Sequence, residues 1–202
     1  MTIHEPATLL TDYALAVLAA GLMVALLRAD SPRSSARTWL AVAMGLVGLS
    51  ALVGGTYHGF APEWLAAVAA AVWKLTLVTI HLVSAALALC WSNEVLPPRW
   101  QGRARGVIAV KLAVFAVWAV SHPVFAVVIA DYGSIMVAWA VAALVLERGW
   151  RGWMLTAVGL SACAAAVQQL HVGLGAHFNH NDLYHVIQGV ALIAFYQAGR
   201  RL

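Results

Sequence analysis

Apolar residues fall into seven long stretches along the chain, and short polar breaks separate them. A helix needs roughly 20 apolar residues to cross about 30 Å of hydrocarbon, and each stretch is close to that length. The breaks contain residues that end or start helices, such as Asp30-Ser31-Pro32, Pro97-Pro98 and Ser121-His122-Pro123. The pattern predicts seven membrane-spanning helices over residues 10–27, 38–57, 64–91, 104–120, 123–146, 152–170 and 183–198.

Composition agrees with a membrane protein. The chain is 63% apolar and 10% charged, which leaves too little polar surface to cover a soluble globule of 202 residues. We therefore expect an all-α, polytopic integral membrane protein, with one seven-transmembrane bundle over residues 1–202 as its single domain. The net charge of +4 does not indicate nucleic-acid binding, because the basic residues stand at helix ends, where they face lipid headgroups.

Basic residues predict the orientation of the bundle. Ten of the twelve Lys and Arg residues follow the first, third, fifth or seventh stretch, and the opposite loops contain none. Because loops rich in Lys and Arg stay on the cytoplasmic side, we expect the N-terminus outside and the C-terminus in the cytoplasm. A multi-pass location in a bacterial-type inner membrane or a plasma membrane follows from the same pattern. The ten residues are Arg28, Arg33, Arg37, Arg99, Arg103, Arg105, Arg148, Arg151, Arg200 and Arg201.

Several polar side chains interrupt the apolar stretches. An ionisable group inside a bilayer costs roughly 2.5–3.5 kcal/mol on insertion scales, so each needs a partner, water or a function. We expect Lys111 to extend to the headgroups from its position near the inner end of its helix. Lys74 and Asp131 could form a structural ion pair between helices. The remaining polar residues are His81, Gln168, Gln169, His185 and Gln188, and the glutamines are expected to make interhelical hydrogen bonds.

Histidines gather where the last predicted helix meets the outer surface. Residues five apart on a continuous helix are about 140° apart, so His180 and His185 cannot share an ion on one helix. A helix that starts at Asn181 or Asp182 would leave His180 in the preceding loop, from which it can fold back. With His58, at the end of the second stretch, the two would form a tri-histidine zinc site that keeps a fourth position for water. The alternative is a set of interfacial histidines that hydrogen-bond to backbone carbonyls and water.

Two short segments resemble motifs of the CREST superfamily of seven-helix membrane hydrolases, which includes alkaline ceramidases and progestin and adipoQ receptors. Gly54-Gly55-Thr56-Tyr57-His58 is similar to the family's Ser-x-x-x-His at the end of the second helix. Asn181 to His185 is similar to the His-x-x-x-His that opens its seventh helix. Gly54 and Asn181 stand where the family has Ser and His, and the third stretch lacks the family's Asp. Thr56 or Ser50, His180, and one of Glu63, Lys74 and Asp131 are the candidate replacements.

The resemblance implies a zinc-dependent hydrolase that acts on a lipid amide or ester at the outer side of the bilayer. Asp131 or Asp182 would be the general base, and Lys74 would stabilise an oxyanion. Asp182 could instead cap the last helix. Under the competing hypothesis, the chain is a transporter, sensor or accessory subunit whose His, Lys and Asp side chains relay protons or bind a ligand.

Overall fold

The computed structural model describes residues 2–28, 34–175 and 177–202, and within them the chain forms seven α-helices. All seven predicted helices are confirmed, although several begin earlier than the apolar stretches do. The break at Asp30-Ser31-Pro32, together with Arg33, lies outside the described residues. The helices are α1 (Pro6–Arg28), α2 (Ser35–Phe60), α3 (Ala66–Val95), α4 (Pro98–Ser121), α5 (Phe125–Val145), α6 (Arg151–Gln169) and α7 (His180–Gly199), with a 3₁₀-helix at Ala61–Glu63.

Helix ends follow from local sequence. Ser34 caps α2, since its Oγ accepts a hydrogen bond from the Arg37 N–H at 3.0 Å. Pro98 occupies the first position of α4, where its missing N–H leaves no hydrogen bond unmade. Asn179 caps α7, and Asp182 completes a capping box with it. The last helix therefore begins at His180, earlier than the apolar pattern alone indicates.

Among the described residues, five helices are long and apolar enough to cross a membrane, namely α1 to α5. α6 and α7 contain polar residues such as Gln168, Asn181 and His185, which lower their hydropathy. Large apolar side chains lie exposed around the bundle, for example Val17 at 75% and Val107 at 68%. Soluble proteins rarely expose apolar surface so extensively, so this surface indicates a multi-pass membrane protein.

Six of the helices form a closed ring. Going round it, α1 packs against α2, α2 against α3, α3 against α5, α5 against α6, α6 against α7, and α7 against α1. α4 lies outside this ring, against α3 and α5. Within α4, all of which the structure describes, Ala119 is the one buried residue. α4 is thus a peripheral helix, and the ring encloses the interior of the bundle.

The two ends of the bundle are packed differently. Large buried side chains fill the end where the Arg residues lie, and Trp139 and Trp150 meet there edge to face at 5.4 Å. Their indole N–H groups are satisfied, because Trp139 donates to the Leu87 carbonyl and Trp150 to Glu94. Toward the opposite end the buried apolar cluster is smaller and consists of Leu77, Ala119, Val127 and Val128. The solid core therefore occupies the basic end, and space remains at the other.

Glycines bring α1 and α2 into close contact. A Cβ atom added at Gly55 would lie 2.7 Å from the Asp12 Cβ, and one added at Gly59 would lie 2.2 Å from Leu9. Small residues at such positions let helix backbones approach each other inside a membrane. Gly55 therefore fixes the distance between α2 and the α1 turn that contains Asp12.

We predict that Gly55→Leu destabilises the protein by about 1–3 kcal/mol, the usual cost of overpacking. Gly21→Leu is the matched control, because a Cβ at Gly21 meets no atom within 4 Å. Thermal unfolding of both variants in detergent measures the difference. Equal midpoints for the two variants would contradict the close α1–α2 contact.

Candidate functional site

A cavity of about 450 Å³ lies inside the ring, toward the end opposite the Arg residues. Ligand sites for small molecules commonly have volumes of about 300–1,000 Å³. All six ring helices contribute to its wall, and none of the described lining residues comes from α4. Most of the wall is apolar. The lining residues whose side chains contain a nitrogen or oxygen atom are Asp12, Ser50, His58, Trp73, Thr76, Tyr132, Ser161, Gln168, Asn181, Tyr184, His185 and Gln188.

A carboxylate and an imidazole meet at the cavity wall. Oδ1 of Asp12, on α1, lies 3.2 Å from Nε2 of His185, on α7. The other ring nitrogen of His185, Nδ1, lies within hydrogen-bond distance of the Thr11 Oγ1 at 3.1 Å. Asn179 Nδ2 also donates to the Thr8 Oγ1 at 3.3 Å. Polar contacts therefore join α1 and α7 at the end of the bundle opposite the Arg residues, and His185 has a contact at each ring nitrogen.

The second carboxylate oxygen of Asp12 has no such partner. Oδ2 is buried and makes no hydrogen bond with any described residue. It lies beside Gly54, where an added Cβ would be 3.9 Å away, and both Asp12 and Gly54 line the cavity. A buried acceptor left unsatisfied costs about 1–3 kcal/mol. Oδ2 is therefore a candidate position for the hydrogen-bond donor of a ligand.

His58 lines the same cavity from the end of α2. Its Nδ1 lies 3.3 Å from Oε2 of Glu5, and its ring contacts Tyr57 and Trp73 edge to face. Glu5, just before α1, thus faces the end of α2. His58 and His185 share the cavity, as the tri-histidine hypothesis requires.

His180 is placed differently. Its ring lies against that of His171, with centroids 4.6 Å apart, and it is not among the residues that line the cavity. Because α7 begins at His180 with Asn179 as its cap, the proposed start at Asn181 or Asp182 is wrong. His180 and His185 therefore lie on one continuous helix, about 140° apart.

The three histidines have three different sets of partners. Across residues 2–28, 34–175 and 177–202, no three His, Cys, Asp or Glu side chains are arranged to hold a metal ion. Coordination by His185 would require the loss of its contact with Asp12 or with Thr11. Zinc binding stays a prediction, and it would need these side chains to rearrange.

Asp182 stabilises the start of α7. Its Oδ2 accepts a hydrogen bond from the Asn179 N–H at 2.7 Å, and the Asn179 side chain accepts from the Asp182 N–H. Asp182 is fully buried and is not among the cavity-lining residues. It is the third residue of the capping box, and the N-cap predicted at Asp182 is Asn179 instead.

Asp131 belongs to a separate polar cluster between α3, α4 and α5. Its Oδ2 lies 2.6 Å from Nδ1 of His81, and its Oδ1 accepts from the Ser84 hydroxyl at 3.1 Å and from the Lys111 ammonium group. Asp131 and His81 are both buried. None of these four residues is among those that line the cavity. The hypothesis that groups Asp131 with His58 and His185 is not supported by this placement.

The predicted ion pair of Lys74 with Asp131 is wrong, and so is the extension of Lys111 to the headgroups. The physical reason is the start of α4 at Pro98, ahead of the predicted span. Counted from Pro98, Lys111 lies about 20 Å along its helix, which is level with Asp131 counted back from Val145. Lys74 is half-buried, does not line the cavity, and forms no ion pair with another described residue.

Sequence reasoning missed Asp12, the central polar residue of the cavity. Its signal was an aspartate within the first apolar stretch, one helical turn after Thr8 and next to Thr11, which also contacts His185. The predicted interhelical role of Gln168 is confirmed, since its Nε2 donates to the Asn181 Oδ1 at 2.9 Å.

We predict that Lys111→Met lowers the free energy of unfolding by about 2 kcal/mol, because it removes a charged partner from the buried Asp131. Lys74→Met is the matched control and should leave stability unchanged, since Lys74 has no such partner among the described residues. Thermal unfolding in detergent compares the two. A larger loss from Lys74→Met would contradict the observed pairing.

Comparison with known proteins gives a family but no function. No curated protein and no solved structure matches the chain. A family model does match it, over residues 7–202, which is nearly its whole length. The chain belongs to DUF6962, a family of unknown function.

Proposed function

We propose that this protein binds a single-chain amphiphile in the central cavity, with a hydrogen-bond-donating headgroup at Asp12. The main support is Oδ2 of Asp12, a buried oxygen without a described hydrogen-bond partner, in a residue that lines a mostly apolar cavity. A hydroxyl or amino group would satisfy that oxygen. An apolar chain would cover the aliphatic wall formed by residues such as Val47, Val83 and Val128.

His185 supports this role by holding the carboxylate in place. Its Nε2 contacts Oδ1 and its Nδ1 contacts Thr11, which leaves Oδ2 as the unpartnered oxygen of a residue in the cavity wall. Such second contacts fix the geometry of a binding group before the ligand arrives. A binding function of this kind suits a sensor, a carrier or an accessory subunit.

We further propose that all seven helices cross the membrane with the N-terminus outside and the C-terminus in the cytoplasm. The support is the basic end of the bundle, where Arg28, Arg99, Arg151 and Arg200 stand at or near helix ends. The cavity then opens toward the outer half of a bacterial inner membrane or a plasma membrane.

The binding proposal predicts selective uptake of donor headgroups. Purified protein in lipid nanodiscs should bind a radiolabelled long-chain alcohol or primary alkylamine saturably, and the matching fatty acid far more weakly, because a carboxylate anion has no hydrogen to donate to Oδ2 of Asp12. Asp12→Leu should weaken binding at least about tenfold, which corresponds to about 1.4 kcal/mol.

Glu147→Gln is the control for the loss of one carboxylate, since Glu147 is exposed at the other end of the bundle. It should bind as the unaltered protein does. Failure of both donor amphiphiles to bind, or unchanged affinity in Asp12→Leu, would overturn the proposal.

Hydrolysis of a lipid amide or ester is the second candidate function. The observation that favours it is the Asp12–His185 pair beside His58 in one cavity, because a carboxylate next to an imidazole can orient a general base. Incubation with long-chain acyl amides and esters tests it. Turnover that is lost in His185→Ala would support hydrolysis. Absence of turnover by the unaltered protein would exclude it.

A further inference from the structure

The cavity wall is thin between α5 and α6. Val137 on α5 and Ala162 on α6 both line the cavity, yet both residues are also exposed, Val137 by 63%. A residue can have both properties only where the wall is one side chain thick or open. The two helices therefore leave a lateral gap beside the cavity.

Small side chains line both edges of this gap. On α5 the cavity-lining residues Gly133, Val137 and Ala140 recur at helical spacing, and on α6 Ala162 and Ala165 do the same. A Cβ added at Gly133 would meet no atom within 4 Å, so there is open space at that level. The edges are apolar as well as small, which suits contact with hydrocarbon chains.

Other junctions of the ring are closed by specific contacts. α1 and α2 meet at Gly55 and Gly59, where no Cβ would fit. Gln168 and Asn181 join α6 to α7 by a hydrogen bond. The junction of α3 with α5 is covered by α4, with Lys111 bound to Asp131.

The gap lies at the depth of lipid chains. Gly133 is about 12 Å along α5 from its outer end, and Ala162 is about 10 Å along α6 from its outer end. Asp12 is about 9 Å along α1 from its outer end, at nearly the same level. A molecule that passes between α5 and α6 would thus enter the cavity facing Asp12 and would not have to cross the polar outer rim.

We infer that the ligand is a membrane-dissolved, single-chain amphiphile that enters sideways from the bilayer through the gap between α5 and α6. This inference rests on the proposed binding function and names both the source of the ligand and its route. The apolar edges exclude a charged solute from water. The hydrogen-bond-donating headgroup passes through the same gap and stops at Asp12.

A photoactivatable long-chain alcohol, with a diazirine on its chain, tests the route. The alcohol is added to nanodiscs that contain the protein, samples are irradiated at increasing times, and labelled peptides from the cavity wall are quantified by mass spectrometry. Ala162→Trp places an indole in the gap. We expect the labelling rate to fall at least about tenfold, a barrier increase of about 1.4 kcal/mol, while final labelling stays near that of the unaltered protein.

Gly159→Trp is the matched control. Gly159 lies on the same helix, is exposed, does not line the cavity, and has no atom within 4 Å of an added Cβ. It should label at the unaltered rate. Val137→Ala widens the gap and should accelerate labelling, which keeps the test informative if the Ala162 variant folds poorly.

Each outcome has one meaning. Labelling of Ala162→Trp at the unaltered rate would overturn lateral entry while leaving the binding function intact. Lower final labelling at an unchanged rate would place the indole in the cavity and would also overturn the gap as the route. Absence of cavity labels in the unaltered protein would overturn both the route and the binding function.

Discussion

The bundle depends on how two carboxylates are satisfied inside an apolar medium, because an unpaired charge or an unmet hydrogen bond is costly there. Asp131 is closed off, since His81, Ser84 and Lys111 supply donors from two neighbouring helices. Asp12 is only half satisfied, with His185 beside one oxygen and no described donor at the other. Asp131 therefore attaches α4 to α3 and α5, whereas Asp12 marks a candidate binding site.

Packing divides the molecule in the same way. Trp139, Trp150 and Phe195 fill the basic end and leave no room for a ligand there. Toward the other end the ring encloses a cavity, whose wall includes the small residues Gly54, Gly133 and Ala162. Polar contacts between α1 and α7, together with the buried apolar cluster of Leu15, Ala19, Ala51 and Leu192, close the ring around this space. Rigid packing at one end thus supports a preformed cavity at the other.

Hydropathy was sufficient to predict the seven helices, because long apolar stretches separated by helix-ending residues favour helices. It could not predict which polar residues meet. The pairing of Lys111 with Asp131 depends on α4 starting at Pro98 and lying outside the ring, and neither fact is visible in apolar spacing. Likewise, Asp12 meets His185 only because the first and last helices are neighbours. His58 and His185 line one cavity, as a shared site would require, whereas the predicted loop position of His180 was wrong because Asn179 caps α7.

An experimental structure in lipid nanodiscs tests most directly whether a ligand donates a hydrogen bond to the unpartnered oxygen of Asp12. We expect elongated density in the cavity, with one end about 3 Å from Oδ2 and with the His185 ring still against Oδ1. A cavity filled by the protein's own side chains, or an Asp12 side chain turned away from the cavity, would contradict it.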